Sequence, residues 1–316
     1  MTNKFFPVRW IAALMISGAF VVSACSDDDD DNMNPNPPVT STINETIVND
    51  TSYSLLNSAI ARGTYADQLN QTGSFTFFAP TNAAFRAAGI DQAGIDTMSA
   101  ATLNNILQYH TVNRSVSLNS FPSDTMSTLN GRRIYFSNNA NGRFVNGISV
   151  SGSDIAASNG ILHPINTLLS SPTGSISGLY SSDTAYRLFN AAVVRAGFVD
   201  SLNNNGRYTV FAPTNAAFEA AGLDAAAISS FDPDSLKTLL KHHILATPYY
   251  NSDFITAGTS PTLMDGSTLT FSGSPTGVQL TGSANPYSNV ITTTAGTTYN
   301  TTTTNGVIQT VDRVIY

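Results

Sequence analysis

The residues FTFFAPTNAAF occupy positions 75–85, and YTVFAPTNAAF occupies positions 208–218. Aligning the chain with itself at an offset of 133 residues pairs 43–112 with 176–245 without a gap, and about 30 of those 70 positions are identical. A repeat of this length is a self-sufficient domain, because solenoid repeats have periods of about 20 to 50 residues. The sequence therefore predicts two tandem copies of one domain.

Helix signals come first in each copy. Asp50 and Asp183 are candidate N-caps for helices whose apolar side chains keep helical spacing. The quoted stretches each contain a short aromatic strand that we expect to stop at Pro80 or Pro213, because proline cannot continue a central ladder. The Thr-Asn pair that follows each proline supplies capping oxygens for the next helix.

Strand signals dominate the later part of each copy. Asn130-Gly131 and Asp265-Gly266 predict hairpins. A further apolar strand closes each copy, near 161–169 and 307–315. Helices gathered first and strands gathered later favour an α+β fold over an alternating α/β fold.

Three blocks in this order resemble the fasciclin (FAS1) domain family. They are FAPTNAAF in both copies, Tyr109-His110 near the end of a helix, and NGILH at 159–163. The resemblance runs from about Thr40 to the C-terminus. It implies two tandem FAS1 domains, each a wedge of two β-sheets flanked by several α-helices, at 41–169 and 176–316, with a linker at 170–175. It also implies extracellular adhesion and matrix binding without known catalytic chemistry.

The N-terminal residues predict export and anchoring. A positive start and an apolar run of about 13 residues predict a signal peptide over 1–24, too short for a membrane-spanning helix. The small residues before Cys25 resemble a bacterial lipobox, which predicts a lipid on Cys25 and a membrane anchor. Residues 25–40 then read as an acidic, proline- and asparagine-rich tether.

The acidic run Asp27–Asp31 resembles a surface-export tag, which favours the exposed side of the outer membrane over its periplasmic side. The chain has a net charge of −7, so nucleic acid is not an expected partner. Because Cys25 is the only cysteine, we expect no disulfide and no thiol chemistry.

In relatives, a Tyr-His pair and an Asp-Ile pair have been proposed as receptor contacts, and here they fall on Tyr109-His110 and Asp154-Ile155. His110 shares a helical stripe with leucine and isoleucine side chains, so we expect it to be buried. Tyr109 lies about 100° around the helix, and we expect it to reach the surface.

The second copy departs from these motifs. His242-His243 replaces Tyr109-His110, and Asn300-Thr301 replaces Asp154-Ile155. His163 in the closing block is replaced by Gln309. Contacts based on the motifs are therefore better supported in the first copy, with His242 as the remaining candidate in the second.

The second copy is 13 residues longer over the matched blocks, with the surplus expected within 272–305. One interpretation is an extension of the sheet by its threonines, which have high β propensity. The other is a surface loop in which Tyr287 and Tyr299 bind a sugar.

No reactive constellation stands out. Four scattered histidines predict no metal site, there is no Gly-x-Ser-x-Gly elbow, and we expect no catalytic residues and no cofactor. Arg132-Arg133 follows a hairpin turn and is interpreted as a solvated strand edge, with a small anion-binding patch as the alternative.

The sequence thus favours a surface-displayed adhesion lipoprotein that binds an extracellular protein or polysaccharide. The short linker limits how far the domains can move, so a groove between them is a candidate ligand surface, although domain pairs joined this closely more often simply pack or sit end to end. Alternatives are a carbohydrate-capture component of a nutrient-uptake system and a self-associating structural protein of the envelope or biofilm.

Overall fold

A computed structural model describes residues 39–150, 152–203, 206–254, 263–274, 277–281, 288–289 and 300–316. Cys25, Tyr287 and Tyr299 lie outside these residues, as do the predicted signal peptide and nearly all of the tether. Residues 39–316 belong to one compact unit. Among the described helices, none has the length and apolar character needed to cross a membrane.

The first copy is helical up to residue 109, apart from one strand. Its helices are α1 (Ile43–Val48), α2 (Ser54–Gly63), α3 (Ala66–Asn70), α4 (Asn82–Ala87), α5 (Gln92–Thr97) and α6 (Ala100–Tyr109). Its strands are β1 (Phe75–Pro80), β2 (Thr111–Val112), β3 (Thr125–Ser127), β4 (Arg133–Asn139), β5 (Gly142–Val145), β6 (Ile148–Ser149), β7 (Ile155–Ala157) and β8 (Gly160–Ile165). They form two sheets, with strand orders β2-β1-β8-β7 and β3-β4-β5-β6.

The second copy repeats this plan. Its helices are α7 (Ile176–Ser182), α8 (Arg187–Arg195), α9 (Val199–Asn203), α10 (Asn215–Ala220), α11 (Ala225–Ser230), α12 (Pro233–Lys241) and α13 (Asn251–Phe254). Its described strands are β9 (Tyr208–Pro213), β10 (Ile244–Leu245), β11 (Thr270–Ser274), β12 (Gly277–Thr281), β13 (Ser288–Asn289), β14 (Thr301–Thr303) and β15 (Gly306–Val311). The sheet orders are β10-β9-β15-β14 and β11-β12-β13, which confirms the predicted α+β class.

Strand β1 divides two apolar cores. Phe75 and Phe77 pack with the helices, whereas Phe78 on the opposite face packs with the second sheet. In the other copy, Val210 belongs to the helical core and Phe211 to the core over β11 and β12. Because side chains alternate along a strand, β1 packs against the helices with one face and against the second sheet with the other. All six residues of β1 are buried as a result.

The prediction that these strands stop at the prolines is confirmed, since Pro80 and Pro213 are the last residues of β1 and β9. Strand β2 pairs only with Thr76 and Phe77, and Phe78 N donates to His110 O just beyond that pairing. The nitrogen of Pro80 points to the same side, beyond the end of β2, so no ladder bond is lost there.

The Thr-Asn pair after each proline caps one helix and holds another. Thr81 Oγ1 accepts from Ala84 N at 3.4 Å, and Thr214 Oγ1 accepts from Ala217 N at 3.2 Å, which confirms the predicted caps. Asn82 Oδ1 accepts from Leu55 N at 2.9 Å, at the start of α2. The repeated Thr-Asn pair thus fixes the position of α4 after β1 and joins its start to the start of α2.

The closing strand of each copy pairs in parallel with the aromatic strand, β8 with β1 and β15 with β9. In the first copy the pairing runs from Phe75 opposite Gly160 to Pro80 opposite Ile165. Buried Asn159 fixes the start of this pairing. Its Oδ1 accepts from Ile43 N at 2.9 Å, and its Nδ2 donates to Leu69 O at 2.7 Å. In the second copy, Asn305 makes the equivalent bonds to Ile176 N and Leu202 O.

The glycine that follows each asparagine permits the closest backbone approach in each copy. Gly160 has φ of +156°, and a Cβ placed on it would lie 2.0 Å from Phe75 O. Gly306 has φ of +153°, and its Cβ would lie 2.0 Å from Tyr208 O. Any side chain at these positions would separate the paired strands.

We expect Gly160→Ala to lower the free energy of unfolding of the first domain by about 3 kcal/mol, because the methyl group collides with a backbone oxygen that cannot move without opening the sheet. Urea unfolding followed by circular dichroism measures the change. Gly174→Ala is the matched control, because a Cβ at that linker glycine meets no described atom within 4 Å. Equal stability of the two variants would contradict the role given to Gly160.

Candidate ligand-binding groove between the two domains

Tyr109 does not reach the surface, and that prediction was wrong. The side chain is 0% exposed, because the second sheet covers the flank of α6 that the helix angle alone leaves open. Its hydroxyl donates to Arg133 O at 3.1 Å and accepts from Asn146 Nδ2 at 2.7 Å. Burial raises the pKa of Tyr109 well above its usual range, so the hydroxyl remains neutral and acts as a structural donor.

His110 is buried, as the helical stripe predicted, and His243 is its equivalent. His110 Nδ1 donates to Ile106 O at 2.8 Å, and Nε2 accepts from Leu169 N at 3.0 Å. His243 bonds in the same way to Leu239 O and Ile315 N. Each imidazole therefore ties the end of a helix to the end of the copy's closing segment.

These two imidazoles are held neutral. Burial lowers the pKa of His110 to about 4, against the smaller opposing effect of the bond to Ile106 O. Burial likewise lowers the pKa of His243 to about 4. Protonation at Nε2 would remove the acceptor that Leu169 N or Ile315 N uses. Neither histidine is placed to contact a partner directly.

Asp154 and Ile155 also serve the interior of the first domain. The Asp154 carboxylate accepts from Leu118 N at 3.1 Å and lies 3.4 Å from Nδ1 of the buried His163. His163 Nε2 donates to Val116 O at 2.7 Å. Ile155 is half-buried against the helical core. The side chain of Asp154 is 28% exposed, so of the four motif residues only Asp154 and Ile155 retain any surface.

The second domain replaces the Asp154–His163 pair as a unit. Asn300 Oδ1 accepts from Asn251 N at 2.8 Å and from Gln309 Nε2 at 2.6 Å. Gln309 Nε2 also donates to Tyr249 O at 3.2 Å. A neutral amide pair thus makes the connections that the acid and imidazole make in the first domain.

His242 closes a loop at the end of α12. Its Nδ1 lies 2.5 Å from Asp265 Oδ2, and its side chain is 23% exposed. Asp265-Gly266 forms the turn of that loop, in which Gly266 N donates to Leu263 O. His242 is therefore a partly accessible residue engaged by its own domain.

The two domains meet through aromatic side chains. Tyr135 from β4 and Tyr250 from the second domain have ring centroids 5.8 Å apart, and both form a buried cluster with Val307. Gly147 packs against this contact, since a Cβ placed on it would lie 2.9 Å from Tyr250 Cβ. A wider residue at 147 has no room in the interface.

A chain of hydrogen bonds crosses this interface. Tyr250 Oη donates to Asn146 Oδ1 at 3.4 Å, and Asn146 Nδ2 donates to Tyr109 Oη. Asn146 Oδ1 also accepts from Tyr135 N at 2.9 Å. Tyr109 is therefore linked to the second domain through a single amide.

Sequence reasoning did not single out Asn146 or Gly147, although an Asn-Gly dipeptide is a strong hairpin signal. Both have left-handed backbones, with φ of +48° and +75°, and they join β5 to β6. The signal was present in the sequence. The contact with Tyr250, more than 100 residues away, could not be predicted from it.

A groove with a volume of about 550 Å³ lies between the domains. Asn139 Nδ2 donates across it to Ser252 O at 3.2 Å. Arg207 Nη1 from the second domain donates to Thr125 Oγ1 of the first at 2.8 Å. Its walls come from both domains: Ser123, Asp124, Thr125, Tyr135, Phe136, Ser137, Asn138, Asn139 and Ala140 face Arg207, Ala246, Thr247, Pro248, Tyr249, Tyr250 and Asp253.

The groove combines aromatic rings with polar groups. Tyr249 is half-buried and stacks on Phe254, with ring centroids 5.7 Å apart. The hydroxyl of buried Tyr135 has no hydrogen-bond partner among the described residues. Burial raises the pKa of Asp253, whose carboxylate accepts from Tyr250 N at 2.8 Å. A volume in this range suits a small ligand or a segment of a polymer.

Within the described ranges, no cluster of three or more His, Cys, Asp or Glu side chains could hold a metal ion. The described lining of the groove contains no histidine. The lining offers hydrogen-bonding groups, aromatic rings and both positive and negative charges, and these groups suit the binding of a ligand.

Comparisons with known proteins agree with the geometry. The family model of the Fasciclin domain matches residues 51–172 and 184–316. Transforming growth factor-beta-induced protein ig-h3 of Sus scrofa is 30% identical over 208 residues, which cover 64% of this chain and 30% of that protein. Periostin of Homo sapiens is 27% identical over 207 residues, covering 64% of this chain and 25% of periostin. The chain thus spans less than a third of the length of these two relatives.

Two further similarities come from a bacterium and from a solved structure. Cell surface glycolipoprotein MPB83 of Mycobacterium bovis is 34% identical over 110 residues, 34% of this chain and 39% of that protein. The structure of a FAS1 domain pair from the insect cell adhesion molecule Fasciclin I aligns with a TM-score of 0.41 and 19% identity. That alignment covers 84% of this chain and 97% of the insect chain.

We expect Gly147→Ala to loosen the contact between the domains, because the new methyl group would lie 2.8 Å from Asn300 Nδ2 and 2.9 Å from Tyr250 Cβ. Small-angle X-ray scattering should show a larger radius of gyration, and limited proteolysis should cut the linker faster. Gly152→Ala is the matched control. Gly152 also has a positive φ, of +98°, but a Cβ there meets no described atom within 4 Å. Unchanged scattering of Gly147→Ala would contradict the proposed packing.

The buried imidazoles of His110 and His243 predict loss of stability in acid. Their folded pKa of about 4 lies below the usual value near 6.5, so the unfolded chain binds protons that the folded chain cannot. Their contribution is fully present above about pH 6.5 and decreases as the pH falls towards 4, by on the order of 3 kcal/mol for each imidazole. Urea unfolding at pH 7 and pH 4.5 measures this loss.

His110→Gln should reduce the dependence of the unfolding free energy on pH in the first domain, because the imidazole at position 110 is removed; the buried His163, whose pKa burial also lowers, remains. His242→Gln is the comparison variant, since His242 is partly exposed. Equal pH dependence of wild type and His110→Gln would show that His110 is not held neutral by burial.

Proposed function

The chain belongs to the fasciclin domain family, and on that premise we propose that it is a surface-anchored, non-catalytic adhesion lipoprotein that binds an extracellular protein or glycan. The observation that carries the proposal is the groove of about 550 Å³ whose walls come from both FAS1 domains. A site assembled in this way exists only in the pair, which gives a physical reason for two copies in one chain.

The interface supports a groove of fixed shape. Tyr135, Tyr250 and Val307 exclude water from its base, and Asn146 bonds to Tyr250 across it. Binding surfaces that are already ordered lose less conformational entropy when a ligand binds. The groove is therefore suited to recognition without a large rearrangement of the domains.

The proposed anchor rests on the N-terminal sequence. A lipid on Cys25 and the tether over 25–40 would place the domain pair outside the outer membrane, attached by its N-terminus. The Mycobacterium bovis relative is named as a cell surface glycolipoprotein, which supports the same arrangement for this chain. Many anchored copies on one cell would bind a repetitive ligand with avidity, through effective concentration.

The non-catalytic part of the proposal is supported by how the imidazoles are used. His110, His163 and His243 are buried and bonded to backbone groups of their own domains. A general acid or base must reach a substrate atom within hydrogen-bonding distance. None of these three side chains has that access.

Attachment of cells provides the test. Cells that display the protein should bind immobilised matrix proteins or polysaccharides, and cells that lack it should bind less. Ala140→Trp places a bulky side chain in the groove at an exposed lining residue and should reduce attachment about tenfold or more. Ala61→Trp, on an exposed face of α2, is the matched control and should attach normally.

Protease treatment of intact cells tests the location. Cleavage of the domain pair from intact cells supports surface display, whereas protection would place the protein on the inner side of the membrane and remove the adhesion proposal. Equal attachment of cells with and without the protein, over the whole set of ligands, would also contradict it.

A further inference from the structure

We propose that the groove binds an acidic, uronate-containing glycan, and that Arg133 of the first domain and Arg207 of the second bind the carboxylates of the ligand. This inference rests on the proposed function and names the ligand class of the same groove. It depends on a pair of guanidinium groups that neither domain contains alone.

The two arginines line one recess. It has a volume of about 460 Å³, and the described residues around it are Thr125, Met126, Ser127, Arg133 and Arg207. Thr125 and Arg207 also line the larger groove, so the recess and the groove share a wall. A ligand in the groove can therefore extend to both guanidinium groups.

The guanidinium groups keep donors available for an anion. Arg133 is exposed and forms no ion pair with any described residue. Arg207 Nη1 lies 3.8 Å from Asp124 Oδ1, but these side chains are 48% and 71% exposed, so solvent screens the pair. An arginine has five N–H donors in a planar fork that matches a carboxylate.

The remainder of the lining suits sugar hydroxyl groups. Ser123, Ser137, Asn138 and Asn139 make one wall polar, although each of them also bonds within the protein. The ring of Tyr135 lines the base of the groove, where its hydroxyl is buried. Half-buried Tyr249 supplies an aromatic ring, and amphipathic rings of this kind suit ligands with both apolar and polar faces.

An apolar peptide anchor fits the recess of the two arginines less well than an anion does. Peptides and proteins usually bind through apolar or aromatic anchors that enter apolar pockets. The recess that holds the two arginines is almost entirely polar.

Asp124 and Asp253 lie near the site, but their repulsion of an acidic ligand is reduced by the groups around them. Asp253 already accepts from Tyr250 N and is bonded to the side chains of Ser137 and Asn139. Asp124 is exposed and lies beside Arg207. The chain as a whole carries −7, so an acidic ligand would bind here through local contacts and not through the overall charge.

Isothermal titration of the soluble domain pair, expressed from residue 26 onwards, tests the inference with defined tetrasaccharides. The acidic probes are tetragalacturonate, an alginate tetrasaccharide and a hyaluronan tetrasaccharide, and the neutral probes are galactotetraose and mannotetraose. We expect at least one acidic probe to bind roughly tenfold or more tightly than every neutral probe in low salt. Added sodium chloride should weaken that binding, because exposed charges are screened.

Arg133→Gln should weaken binding of the acidic probe roughly tenfold and leave any neutral binding unchanged. Arg132→Gln is the matched control: it removes the same charge from the neighbouring exposed residue, which is not part of the described lining. Circular dichroism spectra of both variants should equal that of the wild type, since both side chains are exposed.

The outcomes separate this inference from the proposed function. Binding of neutral and acidic probes with equal affinity, or equal effects of Arg133→Gln and Arg132→Gln, would overturn the acidic-glycan inference and leave adhesion standing. Failure of all acidic probes to bind at millimolar concentration would also overturn it, even if Ala140→Trp still reduced cell attachment.

Discussion

Everything in this molecule depends on the close backbone contact between the first and last strands of each copy. Gly160 lies opposite Phe75, and Gly306 lies opposite Tyr208. These glycines let the closing strands β8 and β15 lie in parallel beside β1 and β9. The buried Asn159 and Asn305 then satisfy the backbone groups around that contact. The central strand can bury helices on one face and a second sheet on the other only when this pairing is complete.

The polar residues of the motifs support the same pairing. His110 and His243 tie helix ends to the segments that follow the closing strands, and Asp154 holds the loop at Leu118 through its carboxylate. Tyr109 connects, through Asn146, to the tyrosine at which the two domains meet. Motif residues that the family resemblance proposes as receptor contacts thus stabilise the domains and the contact between them. The surface proposed to bind a ligand lies in the groove beside that contact.

The sequence predicted the parts that depend on local chemistry. The repeat, the threonine caps and the burial of His110 all follow from spacing within one element. The exposure of Tyr109 was predicted wrongly because the angle around a helix identifies faces of that helix, whereas burial depends on what covers them. The groove was expected from the short linker, but Arg133 and Arg207, or Asn146 and Tyr250, become neighbours only through the packing of two domains. Such pairs leave no periodicity in the sequence.

The exchange of Asp154 and His163 for Asn300 and Gln309 has a consequence for the history of the duplicated modules. An amide can both donate and accept, so it can bond to an acid, to an imidazole or to another amide. Either position can therefore be substituted first while its neighbour keeps a hydrogen-bond partner. The two copies can diverge at these positions by single substitutions. The first copy retains a buried imidazole whose pKa is lowered by burial, while its sibling carries no titratable group at either position. A fall in pH can therefore protonate His163 in the first domain, whereas Gln309 at the equivalent position of the second domain stays neutral.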